Sequence, residues 1–402
     1  MKKIVLPFLV CSFLVATNAT AQDNLVKVTS ATKVDKSKKA FKFTNLIDLS
    51  TTPVQNQGSS GTCWSYSTNS FVESEMIKAG KDPIHLSKIF TARKQYEDKA
   101  EVYVKMGGNI GWGDGGEAHD VLAALDKYGA LPESEYTGLI DGATRNNFAD
   151  MQSVIENMLK GYVNNKSGAV NQSYKKLVSS TLDAFLGEVP KEFTYKGKKY
   201  TPKTFGEQVV GIKSSDYIEF LSQTNTPYYQ KAYMMVPDNW SGEWVWNVPM
   251  TDFTYIIDNA LKNGYTISWG ADVSEPYFSW PNGVAYVPET ALSLDAKRMK
   301  KEEKDALFTS VHKELKVTPE MRQAGLDNLT TTDDHGMHIV GLAKDQNGTE
   351  YYIVKNSWGA DNDYKGFLYV SKTYVQFKTT SVLVNKKGVP TDVMNKLSVE
   401  KL

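Results

Sequence analysis

From residue 63 the apolar positions recur at helical spacing. In CWSYSTNSFVESEMIKAG, the positions of Trp64, Phe71, Val72, Glu75 and Met76 predict an amphipathic helix that Gly80 stops. Ser59, Ser60 and Thr62 are candidate caps just upstream, so Cys63 falls in the first turn. The period changes in residues 333 to 359, DDHGMHIVGLAKDQNGTEYYIVKNSWG. Two apolar runs flank Asn347-Gly348 there and predict a β-hairpin. His335 opens its first strand and Asn356 closes its second, which brings both to one end of a sheet. Between these regions, NFADMQSVIENMLKGYV and SYKKLVSSTLDAFLG read as helices. The aromatic-rich TPYYQKAYMMVPDNWSGEWVWNVPM is assigned to core or interface packing. Residues 23 to 43 are polar and Lys-rich, and read as an extended arm or a disordered one.

The N-terminus has the pattern of a targeting segment: Lys2 and Lys3, the apolar run IVLPFLVCSFLVA, then Ala19 and Ala21 at small-x-small positions. Cleavage after Ala21 would make Gln22 the first residue. The run is shorter than the about 20 residues of a membrane span, and Val10 is bulky where a lipid attached at Cys11 would require a small neighbour. Residues 1–21 are therefore assigned to a signal peptide, with an exported product, periplasmic or secreted, that has no membrane association once the signal is removed.

Composition narrows the function. The 402 residues carry 46 basic and 46 acidic side chains, so no net field steers the chain toward nucleic acid. Of its two cysteines, signal removal takes Cys11, and the mature chain keeps one thiol that can make no internal disulfide. A single cysteine is by default a small buried apolar residue. Its surroundings point elsewhere. Gly58 and Gly61 permit a tight turn beside Cys63, and a helix N-terminus stabilises an anion, which would lower the thiol pKa. These are the surroundings of a nucleophile.

A nucleophilic thiol needs a base. Of the five histidines, His85, His119 and His312 are most simply surface or capping residues. His335 and His338 lie in the hairpin. There a side-chain amide such as that of Asn356 can hold an imidazole in the orientation a base requires. Spacing alone does not exclude coincidence among a Cys, a His and an Asn so far apart.

QNQGSSGTCW, followed by DHGMHIVG and VKNSWG, resembles the papain-like cysteine peptidases, and in particular their bleomycin hydrolase and bacterial aminopeptidase C branch. The blocks GDGGEAHDVLAALDKYGALPES and VPMTDFTYIIDNALKNGYTISWGADVSE are also similar, and the likeness runs over roughly residues 45 to 395. Carried over by position, it makes Cys63 the nucleophile and Gln57 the side-chain donor of the oxyanion hole. His335 becomes the base, with His338 on the strand's opposite face. Asn356 orients the imidazole, Trp358 covers the pair, and Gly115 and Gly116 are cleft glycines whose backbone pairs with an extended substrate.

The resemblance implies an α+β fold: a papain-like pair of lobes, one helical and one an antiparallel β-barrel-like sheet, with a large helical insertion. The domain plan that follows is an N-terminal arm at 22–44 and a peptidase domain at 45–402, with the insertion around 138–250. The expected activity is peptide-bond hydrolysis through a thioester, without cofactor or metal, on peptide substrates, most simply as an aminopeptidase. The resemblance further implies a homohexameric ring. Three features depart from the simplest relatives. Ser60 stands where many have a second cysteine, as in the bleomycin hydrolase branch. His335 follows Cys63 by 272 residues, against roughly 130 to 150 in the simple form. The C-terminal stretch, which in the aminopeptidase branch enters the cleft and limits cleavage to N-terminal residues, is expected to stop early. Endopeptidase activity, a catalytically silent binding protein on the same fold and a transglutaminase-like acyltransferase stay open as alternatives.

Overall fold

The computed structural model describes residues 21–165, 168–294 and 298–397. Residues 1–20, most of the expected signal peptide at 1–21, and the residues after Leu397 lie outside the described residues.

The chain enters through α1 (Ala21–Thr29) and β1 (Phe43–Asp48) and then builds a helical lobe. Its centre is α2 (Cys63–Lys78), packed by α3 (Lys88–Lys105) and α4 (Ala118–Tyr128). Next come α5 (Ala149–Val163) and α6 (Ser173–Leu186), which pack on α3, then a small hairpin of β2 (Phe193–Tyr195) and β3 (Lys198–Tyr200), and the short α7 (Pro202–Phe205). The chain then turns to the sheet with β4 (Tyr217–Leu221), β5 (Lys231–Tyr233) and β6 (Trp244–Asn247). The stretch expected to be a helical insertion thus also supplies one edge of the sheet.

After α8 (Met250–Lys262) come β7 (Ile267–Ala271), β8 (Phe278–Ser279), β9 (Val284–Ala285), α9 (Lys301–Thr309) and α10 (Pro319–Asp327). The hairpin follows as β10 (His335–Asp345) and β11 (Glu350–Lys355), then β12 (Phe367–Ser371), α11 (Lys372–Lys378), β13 (Thr379–Asn385) and α12 (Thr391–Lys396). The main sheet runs β5-β6-β4-β13-β7-β10-β11-β12-β9-β8, with β1 pairing the far half of β10. It is antiparallel except for β4 with β6 and β12 with β9. Two apolar cores result. One, containing Phe253, Trp269, Tyr352 and Tyr374, lies against the sheet; the other, containing Phe71, Phe90, Tyr96 and Leu182, fills the helical lobe.

The predicted hairpin forms with its turn at Asn347-Gly348. Asp345 Oδ1 accepts the backbone N–H groups of Asn347 and Thr349, each at 2.9 Å, and Gly348 supplies the positive φ of +86°. Helix α2 begins at Cys63 and gives way to Gly80 at φ +77°, but it has no exposed polar stripe. Every residue from Trp64 to Met76 is buried, because the helix is sandwiched between the helical lobe and strands β7 and β10. Its small polar residues make that close approach possible. Thr68 Oγ1 meets Ser268 Oγ at 2.8 Å, and Gly336 lies against Trp64 and Ser67 where a Cβ would crowd them.

The N-terminal arm is ordered, contrary to its polar composition. Val34 and Phe41 are buried in the sheet-side core, and Asn282 clamps the arm by accepting Val34 N–H at 3.0 Å and donating to Thr32 O at 3.0 Å. A few buried anchors are enough to order a segment that charge patterning alone marks as solvated.

Candidate active site

Cys63 is the first residue of α2 and is partly exposed, in a cavity that it shares with Gly116, Glu117, Asp238, Asp333, Asp334 and His335. The expected helix effect is present, since the backbone N–H groups of Trp64 and Gly336 reach the sulfur and favour the thiolate. It is outweighed. Burial, with the charges of Asp333 and Asp238, pushes the Cys63 thiol up to about 12. The helix N-terminus expected to lower the thiol pKa is thus opposed by desolvation and by two carboxylates.

His335 opens β10 and is buried. Its Nε2 lies 2.7 Å from Asn356 Oδ1, and the same Oδ1 accepts the Ser357 backbone N–H at 2.7 Å. That second bond fixes Oδ1 as the acceptor, so Nε2 carries the hydrogen and Nδ1 presents its lone pair. Nδ1 has no partner within the protein. Burial pushes the imidazole down to about 4, against the pull of Asn356. Trp358 covers it, with ring centroids 4.4 Å apart and a tilt of 31°.

Gln57 is fully buried and its amide is locked. Oε1 accepts Ser357 Oγ–H at 2.6 Å, while Nε2 donates to Ser60 O at 2.7 Å and keeps a second hydrogen free of that bond. Ser357 is thus a positioning residue for both Gln57 and Asn356, and its place beside Asn356 in NSWG was the only sequence signal for it. His338 faces the opposite way from His335, onto α2, with Nδ1 3.1 Å from Ser70 Oγ; burial keeps it neutral.

The cleft glycines and the remaining histidines bring surprises. Gly116 lies against the Trp64 indole, as a close-approach position should, but the space a Cβ would need at Gly115 is taken by the carboxylate of Asp238. His119 is not a surface residue. Its Nδ1 lies 2.8 Å from Glu219 Oε2, and although burial opposes the charge, Glu219 and Asp120 raise its pKa to about 9. His85 stands 3.5 Å from Glu73, and His312 lies at the surface beside Ala306 O. Sequence reasoning missed Glu117, Asp238, Asp333 and Asp334. The last two adjoin His335 in the chain, but Asp238 sits inside a stretch that patterning assigns to packing.

The profile of the Peptidase C1-like family matches residues 11–402. Aminopeptidase C of Lactococcus lactis subsp. cremoris is 24% identical over 379 residues, which cover 85% of this chain and 82% of that one. Bleomycin hydrolase of Mus musculus is 23% identical, over 89% of this chain and 85% of the relative. Among solved structures, PepW from Lactobacillus rhamnosis HN001 superimposes with a TM-score of 0.68 at 20% identity, covering 88% of this chain and 84% of that chain.

Proposed function

The chain belongs to the Peptidase C1-like family and is a cysteine-type peptidase, and from that premise we propose that it acts as an exported aminopeptidase through Cys63, His335 and Asn356. The observation that carries the catalytic assignment is the His335–Asn356 bond of 2.7 Å, which leaves Nδ1 unpartnered in the cavity that holds the thiol.

Cys63 Sγ attacks the carbonyl carbon while its proton passes to His335 Nδ1, and the carbonyl π pair moves onto oxygen. In this reading the backbone N–H of Cys63 and the free hydrogen of Gln57 Nε2 receive that oxyanion, each such donor contributing about 3 kcal/mol. Collapse breaks the C–N bond, and the imidazolium gives its proton to the leaving amine. Water, deprotonated by His335, then hydrolyses the thioester.

The restriction to amino termini is supported by the names of the relatives, Aminopeptidase C among them. Its test compares hydrolysis of a fluorogenic aminoacyl amide with that of its N-acetyl form, using residues 22–402 and a Cys63→Ala control. Cleavage of the free-amine substrate alone supports the reading, cleavage of both identifies an endopeptidase, and cleavage of neither above the control refutes catalysis. Export rests on the segment before Gln22 and is tested by N-terminal sequencing of protein recovered outside the cytoplasm. The homohexamer belongs to the same reading and is tested by light scattering.

A further inference from the structure

We propose that the loop of residues 234–243 closes the acyl side of the cleft, and that the carboxylate of Asp238 and a carboxyl oxygen of Glu117 receive the α-ammonium group of the substrate. This deepens the aminopeptidase reading and rests on it.

The loop joins β5 to β6 and is pinned at its base and at its tip. Asn239 bridges the base, donating to Met234 O at 2.8 Å and to Glu243 O at 3.0 Å and accepting Glu243 N–H at 3.0 Å. At the tip, Ser241 Oγ meets Nε2 of His119 at 3.1 Å, and Glu219 holds that ring from its other side. The loop is thereby fastened to α4 immediately after the cleft glycines. Asp238 projects over Gly115, where an extended chain passing along the cleft would need room. A peptide can enter on this side only as far as that carboxylate.

The space left is small. The cavity bounded by Cys63, Glu117, Asp238, Asp333 and His335 measures about 30 Å³, room for one small polar group. The pocket lined by Trp358, Gly58 and Arg145 measures about 390 Å³ and shares no residue with it. Because His335 must protonate the leaving amine, the leaving chain runs past His335 and its Trp358 cover, into the larger space. The acyl residue, with its amino group, is left on the side of Asp238.

That side carries more acidic groups, Glu117, Asp238, Asp333 and Glu219 among them, than cations. Glu117 is 4% exposed and its Oε1 has no hydrogen-bond donor among the described residues. Burial and the neighbouring Asp333, Glu219 and Asp238 hold its carboxyl protonated well above the usual carboxylate range. Lys99, whose charge acts on Asp238 and Glu117, has its Nζ engaged by Gly113 O and Gly115 O at 3.1 Å each. The charge of His119 is matched by Glu219. A primary ammonium brings three hydrogens and a positive charge: the Glu117 oxygen that lacks a donor can accept one hydrogen, and Asp238 supplies the facing carboxylate.

The test needs no turnover. Leucinamide and N-acetyl-leucinamide are titrated calorimetrically into the Cys63→Ala chain and into the same chain carrying Asp238→Asn or Glu117→Gln. Leucinamide is expected to bind at least tenfold more tightly than its acetylated form, and each carboxamide variant to reduce that preference at least tenfold. Equal binding of the two ligands, or an unchanged preference in both variants, would overturn the proposal. In the catalytically intact chain, Asp238→Asn is expected to lower the ratio of kcat/KM between free and blocked substrates at least tenfold, mainly through KM on the free-amine substrate. An equal loss on both substrates would mark Asp238 as merely structural. If the preference survives Asp238→Asn but vanishes when the chain is ended after Leu397, the terminal carboxylate takes the role and the proposal fails. Failure of the peptidase reading looks different: the unsubstituted chain then hydrolyses neither substrate.

Discussion

Glu73 and Glu117 are buried to nearly the same degree, 1% and 4% exposed, yet they are held in opposite protonation states. Glu73 lies about three turns along α2 from the nucleophile. It accepts Lys88 Nζ at 2.6 Å, Leu86 N–H at 2.8 Å and the Thr52 hydroxyl at 2.5 Å. Burial alone would raise its pKa, but Lys88 and His85 hold it down to about 2. Glu117, beside Cys63, faces Asp333, Glu219 and Asp238 instead, and one of its oxygens has no partner. The same side chain, equally desolvated, is a structural tie where its counterion belongs to the protein. Among other acids it is held neutral, with one oxygen open to a donor from outside.

The largest effect expected from breaking this contrast is at Glu73. Glu73→Gln leaves Lys88 buried without its main counter-charge and should cost about 3–5 kcal/mol, read as a lower urea midpoint at unchanged slope. The pH dependence has a definite sign. A carboxylate whose folded pKa is depressed stabilises fully above the unfolded value of about 4.3 and loses that contribution as pH falls toward 2. Wild-type stability should therefore decline over that window, and that of Glu73→Gln should decline less.

Next in size, Asn356→Ala should lower kcat about 10²-fold, near 2.7 kcal/mol. It frees the imidazole while leaving the carboxylate side of the cleft intact, so the ratio between free and blocked substrates should stay the same. Glu117→Gln reverses this pattern. It replaces a carboxyl already held neutral with an amide of the same shape, so stability should change by about 1 kcal/mol or less while the selectivity ratio falls. Smallest is the pH effect at Asp238. Burial and Asp333, with smaller contributions from Asp114 and Asp120 and opposed by Lys99, raise it to about 6, and Glu117 shares its cavity. KM for a free-amine substrate should thus rise as pH falls below about 6, and Asp238→Asn should remove that rise in initial-rate profiles.

The two sides of the cleft also differ in how far the sequence reveals them. Cys63 at a helix start, His335 and Asn356 at hairpin ends, and the Asn347-Gly348 turn are local patterns, set by nearest neighbours in the chain. Gln57 and Trp358 followed from family blocks rather than from periodicity. The burial of α2 on all sides was illegible, because its serines and threonines look exposed until the sheet covers them. Whether the arm is extended or disordered stayed open for the same reason, since its partner Asn282 lies about 250 residues away. Asp238 reaches Gly115 only through the fold, and burial, with the charges of Asp333 and Asp238, opposes what the helix N-terminus alone would suggest.

The central claim is that Cys63 carries the acyl group, and the most direct measurement is the intact mass of the chain, rapidly quenched during turnover of an aminoacyl ester, with the adduct located by peptide mapping. The expected result is one acyl group on Cys63, absent in Cys63→Ala and decaying slowly in His335→Ala if it forms there at all. Turnover without an adduct on Cys63, or with the acyl group on another side chain, would contradict it.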